Sequence, residues 1–431
     1  MRLASIVGNA RREAPLVVVS AMGKTTDRLL EVLEAAMAGQ DAVAQRMLSA
    51  IRARTEEAAR PLLGEGAAPV LARLEELFGA LENMAKAVAV LRSVPADARD
   101  AFLAHGERIA TAVASAVLAA RGLPAVSFDA RDVVKTDETF GRALPDMREV
   151  ERRAAQTLAP LLAEGRIPVL GGFIGSAPDG RTTTLGRGGS DYSAALLGAA
   201  LGCSVVEIWT DVDGMMTTDP RVVPGARVIE AISFEEASEL AYFGARVLHP
   251  MTLAPAIEKD IPVRVRNSRR PELPGTEIRA SAPSGGGPVR AIAFKRGLTT
   301  IDMVTTRMLM ASGVLANLFE VFARHRTPVD LVATSEVSVS VTVDDPGRLS
   351  EVRRDLEELA DVEIVPGRAV VCLVGQDLKH TPGIAARIFR SVAAINILMI
   401  SQGASQRNVS FVVEDKDADE AVRRLHQEFF E

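Results

Sequence analysis

The sequence has little cysteine, no long hydrophobic run and no excess of positive charge. Its two cysteines, Cys203 and Cys372, lie far apart in apolar, strand-like surroundings, which predicts buried thiols in a reducing compartment rather than a disulfide. No apolar run approaches the length that crosses a membrane, and the first residues resemble no secretory leader. The formal net charge of −6 gives no general attraction to nucleic acid or anionic lipid. We therefore expect a cytoplasmic protein without a nucleic-acid or membrane partner.

The length and the spacing of apolar residues favour an α/β protein of two or three domains. The chain has 431 residues, of which 48% are hydrophobic and 25% charged, as in ordinary globular proteins. Uninterrupted β-branched runs separated by helical stretches are typical of a parallel sheet that is covered on both faces. These runs predict strands at residues 15–20, 124–129, 167–170, 205–209 and 261–267, the last being the final strand of the domain. A nearly continuous helical region is predicted over residues 29–121.

A glycine-rich loop at residues 181–191 is the most informative local feature. Gly186, Gly188 and Gly189 directly precede an apolar run that predicts a helix with Ser190 or Asp191 as its N-cap. Such a loop offers free N–H groups and the positive end of a helix dipole to an anion. Arg187 adds a guanidinium for a carboxylate or phosphate, and Asp191 adds a carboxylate for a metal, an ammonium group or the loop itself. The pattern favours a phosphate and an amine-bearing substrate, although many such turns bind nothing.

Three standard motifs are excluded by single positions. A dinucleotide-binding loop would need Gly or Ala where Asp191 stands, and a P-loop would need Gly where Val18 stands. A calcium loop that began at residue 211 would need oxygen ligands where Met215 and Val222 stand. The acidic stretch over residues 210–221 is therefore better interpreted as a contact to a nucleotide's ribose and phosphates.

Two further segments are candidates for the same site. Residues 21–27 follow the first strand and form a possible ligand wall, because active sites of α/β folds lie at the carboxyl ends of strands. Gly106 interrupts a helical pattern, which often marks a close approach. Glu107 and Arg108 beside it point either into the site or to solvent, and the pattern alone favours solvent.

The last third of the chain contains a repeat. Residues 281–288 are rich in Gly, Pro and Ser and predict a linker. The order strand, helix, strand, strand, helix then occurs twice, which predicts two ferredoxin-like modules at about 298–366 and 367–431. Because the second module has no closing strand, residues 289–294 are expected to supply it and to interlock the two modules.

These segments together resemble the aspartokinases, within the amino acid kinase family. The matching motifs cover nearly the whole chain and lie at residues 20–27, 106–108, 182–191, 209–214, 217–221 and 243–250. The helical insert and residues 329–338 resemble the lysine-sensitive, single-function subgroup. The resemblance implies a catalytic domain over residues 1–280, with a mainly parallel sheet between helical layers. It implies a regulatory region over 289–431 made of two ACT modules.

The resemblance also implies a reaction and its residues. The γ-phosphoryl group of ATP would pass to the side-chain carboxylate of L-aspartate with Mg²⁺, without a tightly bound cofactor. The residues implied to hold aspartate are Thr26, Glu107, Arg187, Ser190 and Asp191, with Arg187 and Asp191 also catalytic. Those implied to line the nucleotide are Thr210, Asp211, Met216, Arg221 and Arg246. Met216 stands where the family usually has Tyr, and Arg246 where it usually has Lys.

Feedback regulation in a homodimer is implied as well, with the effector held by the ACT pair. The implied effector pocket consists of Met308, Val314, Leu315, Asp330, Thr334, Ser335, Glu336 and Val337. Asp330 suits an ammonium group, and the helix start near Gly313 suits a carboxylate. Lysine is the favoured effector and threonine the weaker alternative.

One departure from the family leaves alternatives open. The family's first strand carries Lys-Phe-Gly-Gly-Thr-Ser, whose lysine meets the transferred phosphate, and this motif does not occur in the sequence. We expect the missing segment to lie upstream, so that residues 1–431 alone have little or no kinase activity. The alternatives are a catalytically silent amino-acid sensor and a kinase of the same fold that acts on acetylglutamate, glutamate or a nucleotide.

Overall fold

The computed structural model describes residues 2–243, 250–281, 287–306, 312–344 and 346–431. Its helices are α1 (Arg2–Asn9), α2 (Thr25–Met37), α3 (Asp41–Leu63), α4 (Ala67–Leu91), α5 (Ala96–Leu103), α6 (His105–Ala120), α7 (Met147–Ala163), α8 (Gly189–Leu201), α9 (Phe234–Tyr242), α10 (Ala254–Glu258), α11 (Val314–Arg324), α12 (Leu349–Glu357), α13 (Ile384–Ser391) and α14 (Ala418–Phe430). Its strands are β1 (Val17–Val19), β2 (Ala125–Phe128), β3 (Ile167–Gly171), β4 (Ile174–Ser176), β5 (Thr182–Thr184), β6 (Val206–Thr210), β7 (Ala231–Ser233), β8 (Val263–Asn267), β9 (Thr276–Arg279), β10 (Val289–Val304), β11 (Val332–Thr334), β12 (Ser338–Val343), β13 (Asp361–Gly375), β14 (Met399–Gln402) and β15 (Asn408–Glu414).

The chain divides into two compact units. The first consists of Met1–Asp213 and Met251–Arg279, and the second of Gly214–Pro250 and Ala280–Glu431. Each unit therefore contains two separate pieces of the chain. The domain boundaries expected from the sequence stay a prediction, and residues 282–286 of the expected linker lie outside the described residues.

Helices α2 to α6 form a helical layer with its own core in the first unit. In α4 the buried side chains recur every three or four residues, at Leu74, Leu77, Phe78, Leu81, Ala85 and Val88. This spacing places them on one face of the helix, where they pack against buried residues of the neighbouring helices. The predicted helical region is thereby confirmed.

A parallel three-stranded sheet organises the first unit. Its strand order is β1-β3-β2, with Val17 opposite Val169 and Ala125 opposite Ile167. All five residues of the central strand β3 are buried, as expected for a parallel strand covered on both faces. The predicted α/β class with a parallel sheet is confirmed.

A second set of strands in the first unit contains one that the sequence did not predict. Strands β6 and β8 pair in parallel, and β9 pairs with β8 antiparallel. The prediction that residues 261–267 form the last strand was therefore wrong. Gly275 directly precedes β9, and its φ is +76°, while a Cβ there would collide with the Val265 carbonyl oxygen, so glycine lets the returning chain lie close against β8.

The second unit is built on a six-stranded antiparallel sheet of order β11-β12-β10-β13-β15-β14. The sequence predicted separate strands at residues 289–294 and 298–304, but the structure has one continuous strand, β10. Its first half pairs with the end of β13, for example Phe294 with Val371. Its second half pairs with the start of β13 and with β12, for example Ile301 with Ile364 and Val341. The separation was wrong because the irregularity between Lys295 and Thr300 is absorbed as a register shift within the ladder.

Two cores lie under this sheet, in agreement with the predicted repeat. One includes Leu318 of α11 and Leu356 of α12. The other includes Ile388 of α13 and Leu425 of α14. Because each pair of helices covers its own core, the tandem ferredoxin-like architecture is confirmed.

Residues 214–243 are attached to this C-terminal sheet. The Ile292 N–H donates to the Thr217 carbonyl at 2.7 Å, and Thr217 Oγ1 lies 3.1 Å from His426 Nε2. Val223 belongs to the same core as α13 and α14. In α9, the Glu239 carboxylate accepts hydrogen bonds from Ser405 and Asn408 at 2.7 and 2.6 Å. The segment therefore packs as part of the second unit.

The prediction of a buried thiol is confirmed for Cys372 and was wrong for Cys203. Cys203 and Cys372 are free thiols, and Cys372 is buried whereas Cys203 is half-buried. None of the described helices is both long enough and apolar enough to cross a membrane.

Candidate active site

The glycine loop adopts the conformation that its composition requires. Gly186 and Gly188 have φ of +79° and +70°, in the left-handed region that favours glycine. Helix α8 begins at Gly189, with Gly188 as its N-cap. The predicted N-cap of Ser190 or Asp191 was therefore wrong. Both residues lie in the first turn, where helical N–H groups have no partner within the helix.

The turn after β3 packs directly against this helix start. A Cβ on Gly172 would lie 2.6 Å from Ser190 Cα, and a Cβ on Gly189 would lie 2.7 Å from the Phe173 ring. The Phe173 N–H is within hydrogen-bonding distance of Ser193 Oγ at 2.9 Å and of the Gly189 carbonyl at 3.1 Å. These contacts hold the two backbone segments together, so the first turn of α8 has a fixed position at the carboxyl end of β3.

Glu107 is a buried carboxylate at the start of α6. Its side chain is only 3% exposed, and Oε1 accepts a hydrogen bond from the Ala21 N–H at 3.2 Å. Oε2 has no hydrogen-bond partner among the described residues. Burial raises the pKa of Glu107 to about 7. Such a carboxylate favours a ligand that brings a proton or a positive charge.

Small residues around Glu107 allow this burial. A Cβ on Gly106 would lie 3.0 Å from Ala21 Cβ, and a Cβ on Gly171 would lie 2.9 Å from Glu107 Cβ. Glycine at both positions lets α6 lie against the ends of β1 and β3. The alternative that Glu107 belongs to a solvent-exposed helix face is therefore wrong.

A cavity of about 370 Å³ lies at this edge of the sheet. It brings together four of the residues that were predicted to hold aspartate, and its lining is Ser20, Ala21, Gly23, Lys24, Thr26, Asp27, Glu107, Phe173, Gly186, Gly188, Gly189, Ser190 and Asp191. Burial raises the pKa of Asp191 to about 6. The cavity thus combines three carboxylates (Asp27, Glu107 and Asp191), one lysine and a helix N-terminus, which suits a small ligand that carries both an ammonium group and an anion.

Arg187 differs from the other four residues that were predicted to hold aspartate. It is exposed and does not line the cavity. The sequence analysis did not single out Lys24, Asp27 or Phe173. Lys24 and Asp27 belong to the predicted ligand wall at residues 21–27, whereas the position of Phe173 depends on its contact with Gly189 and has no local signal.

The predicted nucleotide residues are divided between the units. Thr210 and Asp211, at the end of β6, lie in the first unit, and Asp211 is exposed. Met216 and Arg221 lie in the second unit. Arg221 is 88% exposed and forms an ion pair with Asp219 at 2.6 Å. Arg246 lies outside the described residues.

Asp330, one of the predicted effector residues, already has two partners. The Tyr242 hydroxyl donates to Asp330 Oδ1 at 3.2 Å, and Lys295 Nζ donates to Oδ2 at 3.1 Å. Lys295 also contacts Asp344 at 2.7 Å. No local pattern predicts this pairing, because residues 242, 295 and 330 are distant along the chain.

The other predicted effector residues lie around the start of α11 and the turn between β11 and β12. Val314 is half-buried and Leu315 is 41% exposed, directly after Gly313 as the N-cap. Ser335 Oγ lies 2.6 Å from Ser338 Oγ, and Thr334 and Glu336 are exposed whereas Val337 is half-buried. Met308 lies outside the described residues.

Among the residues that the structure describes, no group of three or more His, Cys, Asp or Glu side chains is arranged to hold a metal ion.

Comparisons with known proteins agree with this architecture. The model of the amino acid kinase family matches residues 1–267, and a model of the ACT domain matches residues 371–429. The lysine-sensitive aspartokinase 3 of Escherichia coli is 44% identical over 368 residues, which are 83% of this chain and 81% of that protein.

Two solved structures of Escherichia coli aspartokinase III match 100% of this chain and 96% of their own. The R-state complex with aspartate and ADP has a TM-score of 0.85 at 40% identity. The T-state complex with lysine and aspartate has a TM-score of 0.82 at 38% identity. The chain therefore belongs to the aspartokinases of the amino acid kinase family.

Proposed function

We propose that the protein transfers the γ-phosphoryl group of ATP to the side-chain carboxylate of L-aspartate, giving 4-phospho-L-aspartate and ADP. One carboxylate oxygen of aspartate forms a bond to the γ-phosphorus while the bond from that phosphorus to the β–γ bridging oxygen breaks. The observation that carries the proposal is the buried Glu107 carboxylate, whose Oε2 faces no hydrogen-bond partner at the wall of a cavity beside the start of α8. The Escherichia coli aspartokinase III complex with aspartate and ADP supports it.

The charges of the cavity suit the parts of aspartate. The α-ammonium group would lie near Glu107 and Asp191, because an approaching positive charge favours the ionised form of both acids. Thr26 and Ser190 would provide hydroxyl groups from the two walls. Arg187 lies outside the lining, so its predicted contact to the substrate requires its exposed side chain to swing toward the cavity mouth.

Transfer of a phosphoryl group depends on positioning and on neutralising charge. The N–H groups in the first turn of α8 would stabilise negative charge on the transferred group. Mg²⁺ would arrive with ATP and would be held mainly by phosphate oxygens. Thr210, Asp211, Met216, Arg221 and Arg246 are proposed as nucleotide contacts on the basis of the family resemblance.

Feedback inhibition by lysine is the proposed regulation. It is supported by the similarity to a lysine-sensitive relative and by the Escherichia coli complex with lysine and aspartate. We propose that residues 289–431 form the regulatory region of a homodimer and that Asp330 receives the effector's ammonium group. The effector would then compete with the contacts that Tyr242 and Lys295 make to Asp330.

The alternative of a catalytically silent sensor has no support from the family or from the relatives. The alternative of a kinase that phosphorylates another acceptor is tested with a panel of substrates. Hydroxamate formation with MgATP and hydroxylamine should be strongest with L-aspartate among L-aspartate, L-glutamate and N-acetyl-L-glutamate, with nucleoside monophosphates tested separately by ADP release. Strong turnover of a different acceptor would contradict the proposal.

Binding is measured in parallel, so that the substrate assignment is tested separately from turnover. Calorimetric titration should show L-aspartate binding more tightly than succinate, which lacks the ammonium group. The kinase assay is run on this chain and on the same chain preceded by a strand that carries Lys-Phe-Gly-Gly-Thr-Ser. Equal binding of succinate and aspartate would remove the proposed role of Glu107.

A further inference from the structure

A second cavity lies in the first unit, on another side of α6. It has a volume of about 390 Å³ and is bounded by α4, α6, the end of β2 and the start of β4. This is within the range of small-molecule sites. Glu107 lines the aspartate cavity, whereas Arg108 and Thr111 of the same helix line this one.

Arg108 gives the second cavity a positive charge without an acidic partner. It is half-buried and donates a hydrogen bond to His105 Nε2 at 3.4 Å. Desolvation lowers the pKa of His105 to about 4, so the imidazole is neutral. No acidic side chain of the described residues lies within ion-pair distance of Arg108. Burial and the nearby Arg131 lower the pKa of Arg108, whereas the Asp129 carboxylate opposes that shift from beyond ion-pair distance.

The other charges around the cavity are already paired. Asp129 forms a close ion pair with Arg131, with the shortest separation 2.6 Å. Arg73 pairs with Glu76 at 2.6 Å. Since these two pairs cancel, Arg108 leaves one net positive charge. That charge matches a monoanion.

Two hydroxyl groups of the lining already donate to backbone carbonyls. Thr111 Oγ1 donates to the Glu107 carbonyl and Ser115 Oγ donates to the Thr111 carbonyl, both at 2.8 Å. These hydroxyls therefore turn their hydrogens away from the cavity and offer no donor to a second negative charge. Val70, Ala112 and Phe128 provide an apolar wall.

We propose that this cavity binds a small aliphatic monocarboxylate. Its carboxylate would pair with the Arg108 guanidinium, and its hydrocarbon part would lie against Val70, Ala112 and Phe128. Binding here does not depend on the proposed kinase reaction, because the two cavities have different linings.

The primary test uses the unmodified chain and two ligands of nearly the same shape. In calorimetric titrations, 4-methylpentanoate should bind at least about tenfold more tightly than 4-methylpentanamide, because only the former makes a charge-assisted pair with Arg108. Equal affinity for the acid and the amide would overturn the proposal. Inorganic phosphate that binds as tightly as the carboxylate would overturn the assignment to an aliphatic acid.

Variants locate the site. Arg108→Gln should weaken binding of 4-methylpentanoate about tenfold, and Ala112→Leu should remove it by filling the cavity. Arg60→Gln, an exposed arginine of α3 with an ion pair to Glu56, should leave binding unchanged and serves as the control. Binding that survives in Ala112→Leu, or that saturating L-aspartate abolishes by competition at the first cavity, would overturn the proposal.

Discussion

Glu107 and Asp191 are acids that the fold withdraws from water at the wall of one cavity. Burial raises their pKa values to about 7 and about 6. For Glu107 the folded value lies above the ordinary value of 4.5, so the folded protein binds this proton more tightly than the unfolded chain. Its contribution to stability is therefore present below about pH 4.5 and is lost as the pH rises through about 7. A bound ammonium group would instead favour the ionised form of Glu107 and lower its pKa.

The role of the Glu107 charge is tested by Glu107→Gln, which keeps the size of the side chain. We expect L-aspartate to bind at least about 30-fold more weakly, because removing one member of a buried charge pair costs roughly 2 kcal/mol or more. Calorimetry measures the affinity, and the exposed Glu57→Gln in α3 is the control. An unchanged affinity would show that the ammonium group lies elsewhere.

The same carboxylate predicts a pH dependence of substrate binding. An ammonium group prefers ionised Glu107, so aspartate affinity should rise about tenfold between pH 6 and pH 8 and then level off. Titrations at a series of pH values, in two buffers of different ionisation enthalpy, measure both the affinity and the protons released. A flat profile in the unmodified protein, or a tenfold rise that persists in Glu107→Gln, would contradict the assignment.

At the scale of elements, the turn after β3 and the start of α8 form one rigid junction. Gly172 allows the two backbones to touch, since a Cβ there would meet Ser190 Cα at 2.6 Å and Ser190 Cβ at 2.8 Å. Backbone atoms cannot move aside as a flexible side chain can. The junction therefore determines where the first N–H groups of α8 point.

Gly172→Ala tests this junction. It should lower the free energy of unfolding by about 1–3 kcal/mol through overpacking and should weaken aspartate binding, because Ser190 must move. Gly79→Ala is the matched control, since a Cβ at Gly79 in α4 meets nothing within 4 Å. That change should instead stabilise the protein by about 0.5–1 kcal/mol. Thermal unfolding and calorimetry measure both effects, and equal responses of the two variants would contradict the packing argument.

Helix α9 and the first regulatory module meet through Tyr242 and Asp330. If lysine binds at Asp330, it must displace the Tyr242 hydroxyl. Tyr242→Phe should therefore strengthen lysine binding about two- to tenfold, since a net hydrogen bond contributes roughly 0.5–1.5 kcal/mol. Calorimetric titration with lysine checks this, with Tyr192→Phe in α8 as the control. An unchanged affinity in Tyr242→Phe would mean that the two contacts coexist.

Several elements were predictable from local sequence and others were not. The β-branched run at β1 and the periodic apolar residues of α4 identify their conformations directly. Strand β9 and the continuity of β10 were missed, because each depends on a partner strand that lies elsewhere in the chain. Whether Glu107 faces the site or solvent was ambiguous for the same reason, because helical spacing does not specify which face of α6 packs against the ends of β1 and β3.

At the scale of the whole molecule, residues 214–250 are separated in sequence from the rest of the second unit. Thr217 and Glu239 attach this segment to the regulatory sheet through hydrogen bonds. Met216 and Arg221 therefore share a compact unit with the proposed effector residues.

In the proposed homodimer, a charged substitution should have different effects on the oligomeric state at two exposed apolar positions. Ile400 in β14 is 46% exposed, whereas Met399 beside it is buried, so alternation along the strand places Ile400 on an outer face of the regulatory sheet. Ile400→Glu should convert the dimer to a monomer. Leu144→Glu, at a 63% exposed position of the first unit, should leave the dimer intact. Light scattering after size-exclusion chromatography measures the mass, and a dimer that survives Ile400→Glu would place the interface elsewhere.

The sequence by itself determined the α/β class, the repeated modules, the glycine loop before a helix and most helix and strand positions. These follow from backbone preferences and from the periodicity of apolar residues, which are local properties. The tertiary structure alone decided that Gly188 caps α8, that Glu107 is buried, that Asp330 is paired and that residues 214–250 join the second unit. Burial, desolvation and pairing depend on segments that are distant in the chain, so no local pattern specifies them.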